Sequence, residues 1–467
     1  MPNKRFLGIT VMTPFIQVEG VEGVLENVID RAGATAVTVN TSVIAPMPDG
    51  QGQYQPPSDA GASPRLFDRL VWGKPEFWYR SGPGHAARRE FFAGLTYQPR
   101  QPNDLTESVG PLVGEFIAAA KDRGLKVYIQ TSASAPPGLR DEDRPRLPDG
   151  RMPQDRMADT GSLASPDVRL FNRAWVRDIF AQYPQIDGIR PDWPEYPCYK
   201  LDEVFQGFED HSRSWAATHG FDFERMRREV GAFYDYLHGR LTNDDLADLA
   251  GPDRGKYTIF ERFNRFPGVA EWLRFKAALS TDLLRDWQTA IHEFGGPDKE
   301  LSANAFMPPF SHITGLDFAG AAPFCASISP KLYTMHWSLM VEFWGRVLLE
   351  RNPGLDERLL VRALVHLLDL ADEPVDATLA DYGYPEPDEP HPIPSSTQQR
   401  KIAQALAAVR GQTQIYALVH GYGPLDDFRR RFQLVADSPA DGVWINRYGY
   451  LSEEKLDAVG EIWGGSA

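Results

Sequence analysis

Asp187-Gly-Ile-Arg-Pro-Asp192, followed by Trp193-Pro-Glu195-Tyr-Pro197, gathers the residue types best suited to chemistry. Ile186, Gly188 and Ile189 read as a buried strand with a carboxylate at its tip. Side chains alternate along a strand, so Arg190 and Asp192 share one face and Ile189 takes the other. A guanidinium beside a carboxylate keeps it ionised, which suits a nucleophile or a charge stabiliser. A structural ion pair would have the same composition. Glu195 lies between Pro194 and Pro197, which restrict its loop, and is the nearest candidate for a general acid. Glycosidic cleavage uses such a couple, one carboxyl ionised and the other protonated. Glu342 is the reserve acid, although a residue one turn into a helix is more often structural.

Further candidates lie at other strand ends. Lys331 and Tyr333 alternate with Leu332, and a buried lysine either forms a Schiff base or pairs with a carboxylate such as Asp192. His336-Trp337 follows the sixth strand and His420 ends the seventh. A histidine there can bind a sugar hydroxyl, act as an acid or ligate metal, with hydroxyl binding favoured for His420. Trp193, Trp337 and Trp444 offer indole faces to a pyranose, and rim positions single out the first two. His85 reads either as part of a lid over the mouth or as an ordinary loop histidine. Arg88, Arg89 and Arg140 suggest anionic substituents or a solvated surface. No His-x-His or His-x-x-x-His motif occurs, so neither metal nor cofactor is expected.

The chain that must position these groups has 467 residues, with 49 basic against 64 acidic and a net charge of -15. An acidic surface repels phosphate backbones and anionic membranes, which argues against nucleic acid or lipid as partner. Cys198 and Cys325 could form one bridge but no disulfide framework. The opening residues run straight into a strand pattern without a long apolar segment, so a cytoplasmic location is expected. The expected partner is a small carbohydrate, and a homo-oligomer is compatible with the chain.

Strand and helix patterns alternate from end to end. Strands are expected at residues 6–13, 34–43, 125–132, 186–192, 300–306, 326–335, 414–420 and 442–448. Helices are expected at 21–32, 104–123, 165–183, 338–349, 355–370, 397–409 and 453–462. Asn103 and Ser165 are N-caps, and Pro166 takes the tolerated first position. A long Gly/Pro/Arg-rich loop covers 46–102, a helical insertion 200–291 and an acidic, Pro-rich loop 371–395. Eight such units close into a single-domain α/β (β/α)8 TIM barrel spanning 1–467, with long βα loops and the helical insertion after strand four. Ile9, Val11, Val37, Val39, Val127, Ile129, Ile415, Val419, Val443 and Ile445 fall on the face that packs against helices. Thr10, Thr38, Asn40, Tyr128, Gln130, Arg190, Asp192, Asn304, His420, Trp444 and Asn446 fall on the interior face. A purely structural barrel would fill that face with branched apolar residues, so its polarity points to a ligand offering many hydroxyls.

Several segments resemble uncharacterised glycosyl-hydrolase-like TIM barrels. They are Asn103-Asp-Leu with Ala118-Ala-Ala-Lys-Asp-Arg-Gly-Leu-Lys-Val-Tyr128, Ser165-Pro-Asp-Val-Arg169, and Ile186 to Pro197. Ser329-Pro-Lys-Leu-Tyr333 and Asp441-Gly-Val-Trp-Ile-Asn-Arg-Tyr-Gly449 look like the sixth and eighth strand segments of that family. The fourth-strand hexapeptide is also similar to the "D-G-F-R-x-D" of the α-amylase superfamily, which implies a nucleophile at Asp192 above Arg190. Two departures stand against that likeness. Leu301-Ser-Ala-Asn-Ala-Phe-Met307 lacks the strand-five glutamate, and Val419-His420-Gly421 lacks the aspartate after strand seven.

Together these features lead to a glycoside hydrolase using Asp192 and Glu195, with retention favoured. Arg190, Asn40, Gln130, Trp193, Asn304, Lys331, Tyr333, His336, Trp337, His420 and Asn446 would bind substrate. Two other readings stay open: a sugar lyase, isomerase or epimerase using Lys331, His420 or a metal, and a barrel that binds glycans without cleaving them.

Overall fold

The computed structural model describes residues 5–57, 65–154, 156–251 and 255–465. Parts of the long loop (58–64) and of the helical insertion (252–254), together with residues 1–4, lie outside that set. Eight parallel strands close into a barrel: β1 Phe6–Val11, β2 Ala36–Val39, β3 Lys126–Ser132, β4 Gly188–Asp192, β5 Glu300–Ala305, β6 Ser327–Leu332, β7 Gln414–His420 and β8 Gly442–Asn446. β1 pairs with β8 and completes the ring. This is the expected (β/α)8 barrel.

The two faces of each strand sort as alternation dictates. Ile9, Val37, Ile129, Ile189, Ile328, Val419 and Ile445 are buried against the helical ring. Inside, Ala36, Tyr128, Leu418 and Trp444 form a separate apolar plug. Each buried Val, Ile or Leu side chain of the strands contributes about 1.5–3 kcal/mol on burial. Gly8 makes room for the plug, since a Cβ there would lie 2.2 Å from the Trp444 ring. Gly188 allows close approach of β4 to β5, where a Cβ would meet the Glu300 carbonyl oxygen at 2.2 Å.

Capping follows the sequence. The Ser165 hydroxyl accepts from the Val168 N–H at 3.2 Å, and the helix runs Pro166–Gln182. The Asn103 side chain accepts from the N–H groups of Leu105 and Thr106. The helix it opens stops at Ser108, however, and a second begins at Pro111, because a proline cannot continue the hydrogen-bond ladder.

Four other boundaries differ from expectation. The first helix starts at Thr13, with Pro14 in its first turn, instead of at residue 21. β2 ends at Val39, and Ser42–Pro46 joins Phe77–Pro83 and Gln53–Gln55 in a three-stranded antiparallel sheet within the expected loop. Asn40 makes this break, its side-chain oxygen accepting from the Ser42 N–H. β6 ends at Leu332, and a helix opens at Thr334, so His336 and Trp337 ride its first turn. The insertion is helical, ending in the long helix Pro267–Gly295. Cys198 and Cys325 are both free and buried. No described helix is long and apolar enough to cross a membrane.

Candidate active site

Asp192 is the only carboxylate at the C-terminal end of a barrel strand. Register sets it beside Ser132 of β3 and Asn304 of β5. Its side chain is 31 % exposed, whereas its partner Lys331 is 2 % exposed, with Nζ 2.7 Å from Asp192 Oδ1. Trp193, immediately after it, adopts φ 56°, a left-handed conformation that bulky residues rarely take. That turn lets the Trp193 N–H donate to Asp192 Oδ1 at 3.1 Å. Strain of this kind clusters where a side chain must be aimed.

The cation that touches Asp192 is thus Lys331, not Arg190 as the hexapeptide suggested. Arg190 is fully buried one layer down, its guanidinium 3.6 Å over the Trp444 ring and donating to Asn304 Oδ1 at 2.5 Å. Burial pushes its pKa down, and Asp192 is the weakest of the groups that oppose this. Arg190 and Asn304 form the floor beneath the ion pair, and Gln130 stands level with Arg190 on β3. Asn40 turns to its own loop, accepting from Thr13 and Ser42.

Glu195 is fully buried. One oxygen accepts from the Phe306 N–H at 2.7 Å and the other from the Thr314 hydroxyl. Burial raises its pKa from 4.5 to about 7, against the pull of Thr314, Lys331 and the Phe306 amide. It therefore carries a proton much of the time at neutral pH. It ties the loop after β4 to the segment after β5 and offers no surface to a leaving group. The reserve acid, Glu342, is held by Arg346 one turn away on its helix.

Aromatic rings line the mouth. Trp193 lies 6.2 Å from Tyr199, centroid to centroid, and Tyr199 makes an edge contact with His336. Tyr333 meets both His336 and His420 edge-on. Tyr384, from the loop at 371–395, reaches His336 and Tyr422. His420 is fully buried, and its Nδ1 accepts from the Tyr422 N–H at 3.1 Å. Burial, reinforced by the charges of Arg65 and Arg447, holds its imidazole far below the ordinary value. Asn446 stands opposite His420 on β8.

Other expected contributors lie elsewhere. Trp337 is buried in the core with the Lys401 ammonium over its ring, so it presents no face to a sugar. Trp444 belongs to the plug below the floor. His85 lies 2.7 Å from Asp178 on an outer helix and not over the mouth. Arg88 donates to the Ala181 carbonyl, Arg89 to Gln101, and Arg140 to Asp143 and Asp167. Sequence reasoning missed Tyr199, Tyr384, Tyr422 and Arg447. Arg447 lies inside a quoted segment and Tyr199 stands two residues past another, but no periodicity continues past a strand end to mark them. Among the described residues, no group of three His, Cys, Asp or Glu is placed to hold a metal ion.

No protein-family model and no curated protein sequence matches the chain. Solved structures do resemble it. A β-galactosidase from the psychrophilic Marinomonas ef1 superposes with TM-score 0.51 at 12 % identity, covering 99 % of this chain and 59 % of that one. The chain thus spans about three fifths of that enzyme's length. The catalytic domain of a β-amylase from Paenibacillus polymyxa gives TM-score 0.51 at 11 % identity, covering 99 % and 97 %. At such identities the likeness is one of fold.

Proposed function

We propose that this protein is a carbohydrate-active enzyme of the glycoside hydrolase type, with Asp192 as its catalytic carboxylate. The observation that carries the reading is Asp192 itself, partly exposed at the barrel mouth, ion-paired to Lys331, whose ammonium also lies over the Trp193 ring, with Tyr199 packed against Trp193. TIM-barrel enzymes place catalytic groups at this face, and aromatic rings suit the C–H faces of sugars. The fold shared with a β-galactosidase and a β-amylase supports the assignment.

Asp192 would attack the anomeric carbon as its bond to the glycosidic oxygen breaks, and the departing oxygen would take its proton from water at the open mouth. A second water would then cleave the Asp192 ester and release the sugar with net retention. Lys331 and the Trp193 amide would hold the attacking carboxylate in place. Glu195 is here a positioning residue: it fixes the two segments flanking Asp192 and touches no substrate. A 2-deoxy-2-fluoroglycoside should label Asp192, as read by peptide mass spectrometry. Asp192→Asn should abolish turnover, and Asp192→Glu, which keeps the ion pair but displaces the oxygen, should abolish most of it. Full turnover in Asp192→Asn would end the proposal.

One observation favours a second reading. The strand ends supply a single carboxylate and, against it, a buried lysine, which suits carbonyl chemistry on an open-chain sugar. Borohydride reduction in the presence of aldoses or ketoses would then add sugar mass to Lys331. Sugar binding without product in either assay would leave a barrel that binds glycans without cleaving them.

A further inference from the structure

One guanidinium beside the mouth has, among the described residues, no carboxylate against it, although Glu386 and Glu389 act on the neighbouring Tyr422. The chain carries a net charge of -15, and most of its arginines pair with carboxylates. Arg447 does not. It directly follows Asn446, the last residue of β8, which lies opposite His420 and whose carbonyl accepts from the Gly421 N–H. Arg447 is half-buried, and among the described residues its polar contact is Met12 Sδ at 3.8 Å. Its charge bears on His420 and on Tyr333, both at the mouth, and Arg65 bears on the same two groups.

His420 adds a second unspent donor. Its Nδ1 accepts from the Tyr422 N–H, so the proton of the neutral ring sits on Nε2. That buried Nε2 has no hydrogen-bond partner. The only carboxylate at the strand ends, Asp192, is already matched by Lys331. A half-buried guanidinium without a carboxylate pays a desolvation cost that an arriving anion offsets.

We propose that the sugar bound at this mouth carries a carboxylate, as a uronic acid does, and that Arg447 binds that carboxylate. The planar fork of a guanidinium matches the two oxygens of a carboxylate. The net charge of -15 disfavours binding of an anion in general, so recognition would depend on the contact with Arg447. The inference rests on the reading of the mouth as a carbohydrate site.

Titration calorimetry with glucuronate, galacturonate, their neutral parent sugars and glucose 6-sulfate tests it without requiring turnover. Uronates should bind the native protein at least about tenfold more tightly than the neutral sugars, a margin that shrinks as salt rises. Arg447→Gln should erase that margin and leave neutral sugars within about twofold, and Arg447→Lys should keep part of it. Thermal melting checks that both variants fold. Equal binding of uronates and neutral sugars overturns the inference alone, as does equal weakening of both by Arg447→Gln. A preference for glucose 6-sulfate overturns the choice of carboxylate. If none of these sugars binds, the carbohydrate reading falls and this inference with it.

Discussion

The barrel mouth and the helical insertion bury charge in opposite ways. In the insertion, ionic groups are matched internally. Lys276 donates to the carbonyls of Val204 and Ile313, Asp202 meets His238, and Arg262 meets Asp245. Beside them is an apolar cavity of about 280 Å³ lined by Leu246, Phe233, Phe263, Trp272 and Ala363, among others. At the mouth, Asp192 is open, Arg447 has no carboxylate, and His420 Nε2 has no acceptor. Unfilled space is therefore found at a distance from the proposed site. The insertion also has unpartnered buried groups, Gln206 Oε1 and Trp287 Nε1, but at the mouth His420 Nε2 and Arg447 share the strand ends with an open carboxylate, Asp192.

The contrast can be broken most forcefully at Asp192. Asp192→Asn should lower kcat/KM by about 10³-fold or more, whereas no substitution lining the cavity should change it beyond tenfold. A cavity-lining variant that stays folded yet loses turnover would dissolve the distinction. Next in size is Leu246→Ala, which enlarges the existing cavity and should cost about 3 kcal/mol in denaturant unfolding while leaving the activity of the folded fraction intact.

Glu195 gives an effect of similar size that depends on pH. Its folded pKa of about 7 lies above the ordinary 4.5. The stability it contributes is therefore fully present below 4.5 and lost as pH rises through about 7. Glu195→Gln removes that slope, so the variant should gain on the native protein by roughly 3 kcal/mol between the two limits. A glutamine can replace both contacts, accepting from Phe306 and donating to Thr314, whose hydroxyl then turns to the Ser311 carbonyl. A constant difference across the pH range would show that Glu195 is not protonated by its burial.

The smallest effect is Ala363→Leu, which fills part of the cavity and should raise stability by about 1 kcal/mol. A loss of that size would mean the surrounding helices close the space too tightly for three more carbons.

Much of the barrel was legible because its signals are local. Alternation along β1, β2, β3, β7 and β8 fixed which side chains face the helices, and Asn103 and Ser165 marked helix starts. Boundaries failed where one element passes directly into the next, as at Met12-Thr13-Pro14 and at Leu332-Tyr333-Thr334, since apolar residues there serve strand and helix alike. The site was legible in part. The prominence of Asp192 and the inward placement of Lys331 follow from period two, but a rim position for Trp337 requires a strand running to residue 335, and β6 ends at Leu332.

The sequence by itself determined the eight-fold alternation, the polar interior face and the strand that ends in Asp192, since each depends on residues close together in the chain. Only the tertiary structure decided that Lys331, and not Arg190, meets that carboxylate, that Glu195 is sealed behind it, and that Arg447 stands unpaired at the rim. Those outcomes depend on ring closure, which sets the layer at which side chains from distant strands meet. Coulomb energy and desolvation follow distance and burial, and neither is a property of neighbours in sequence.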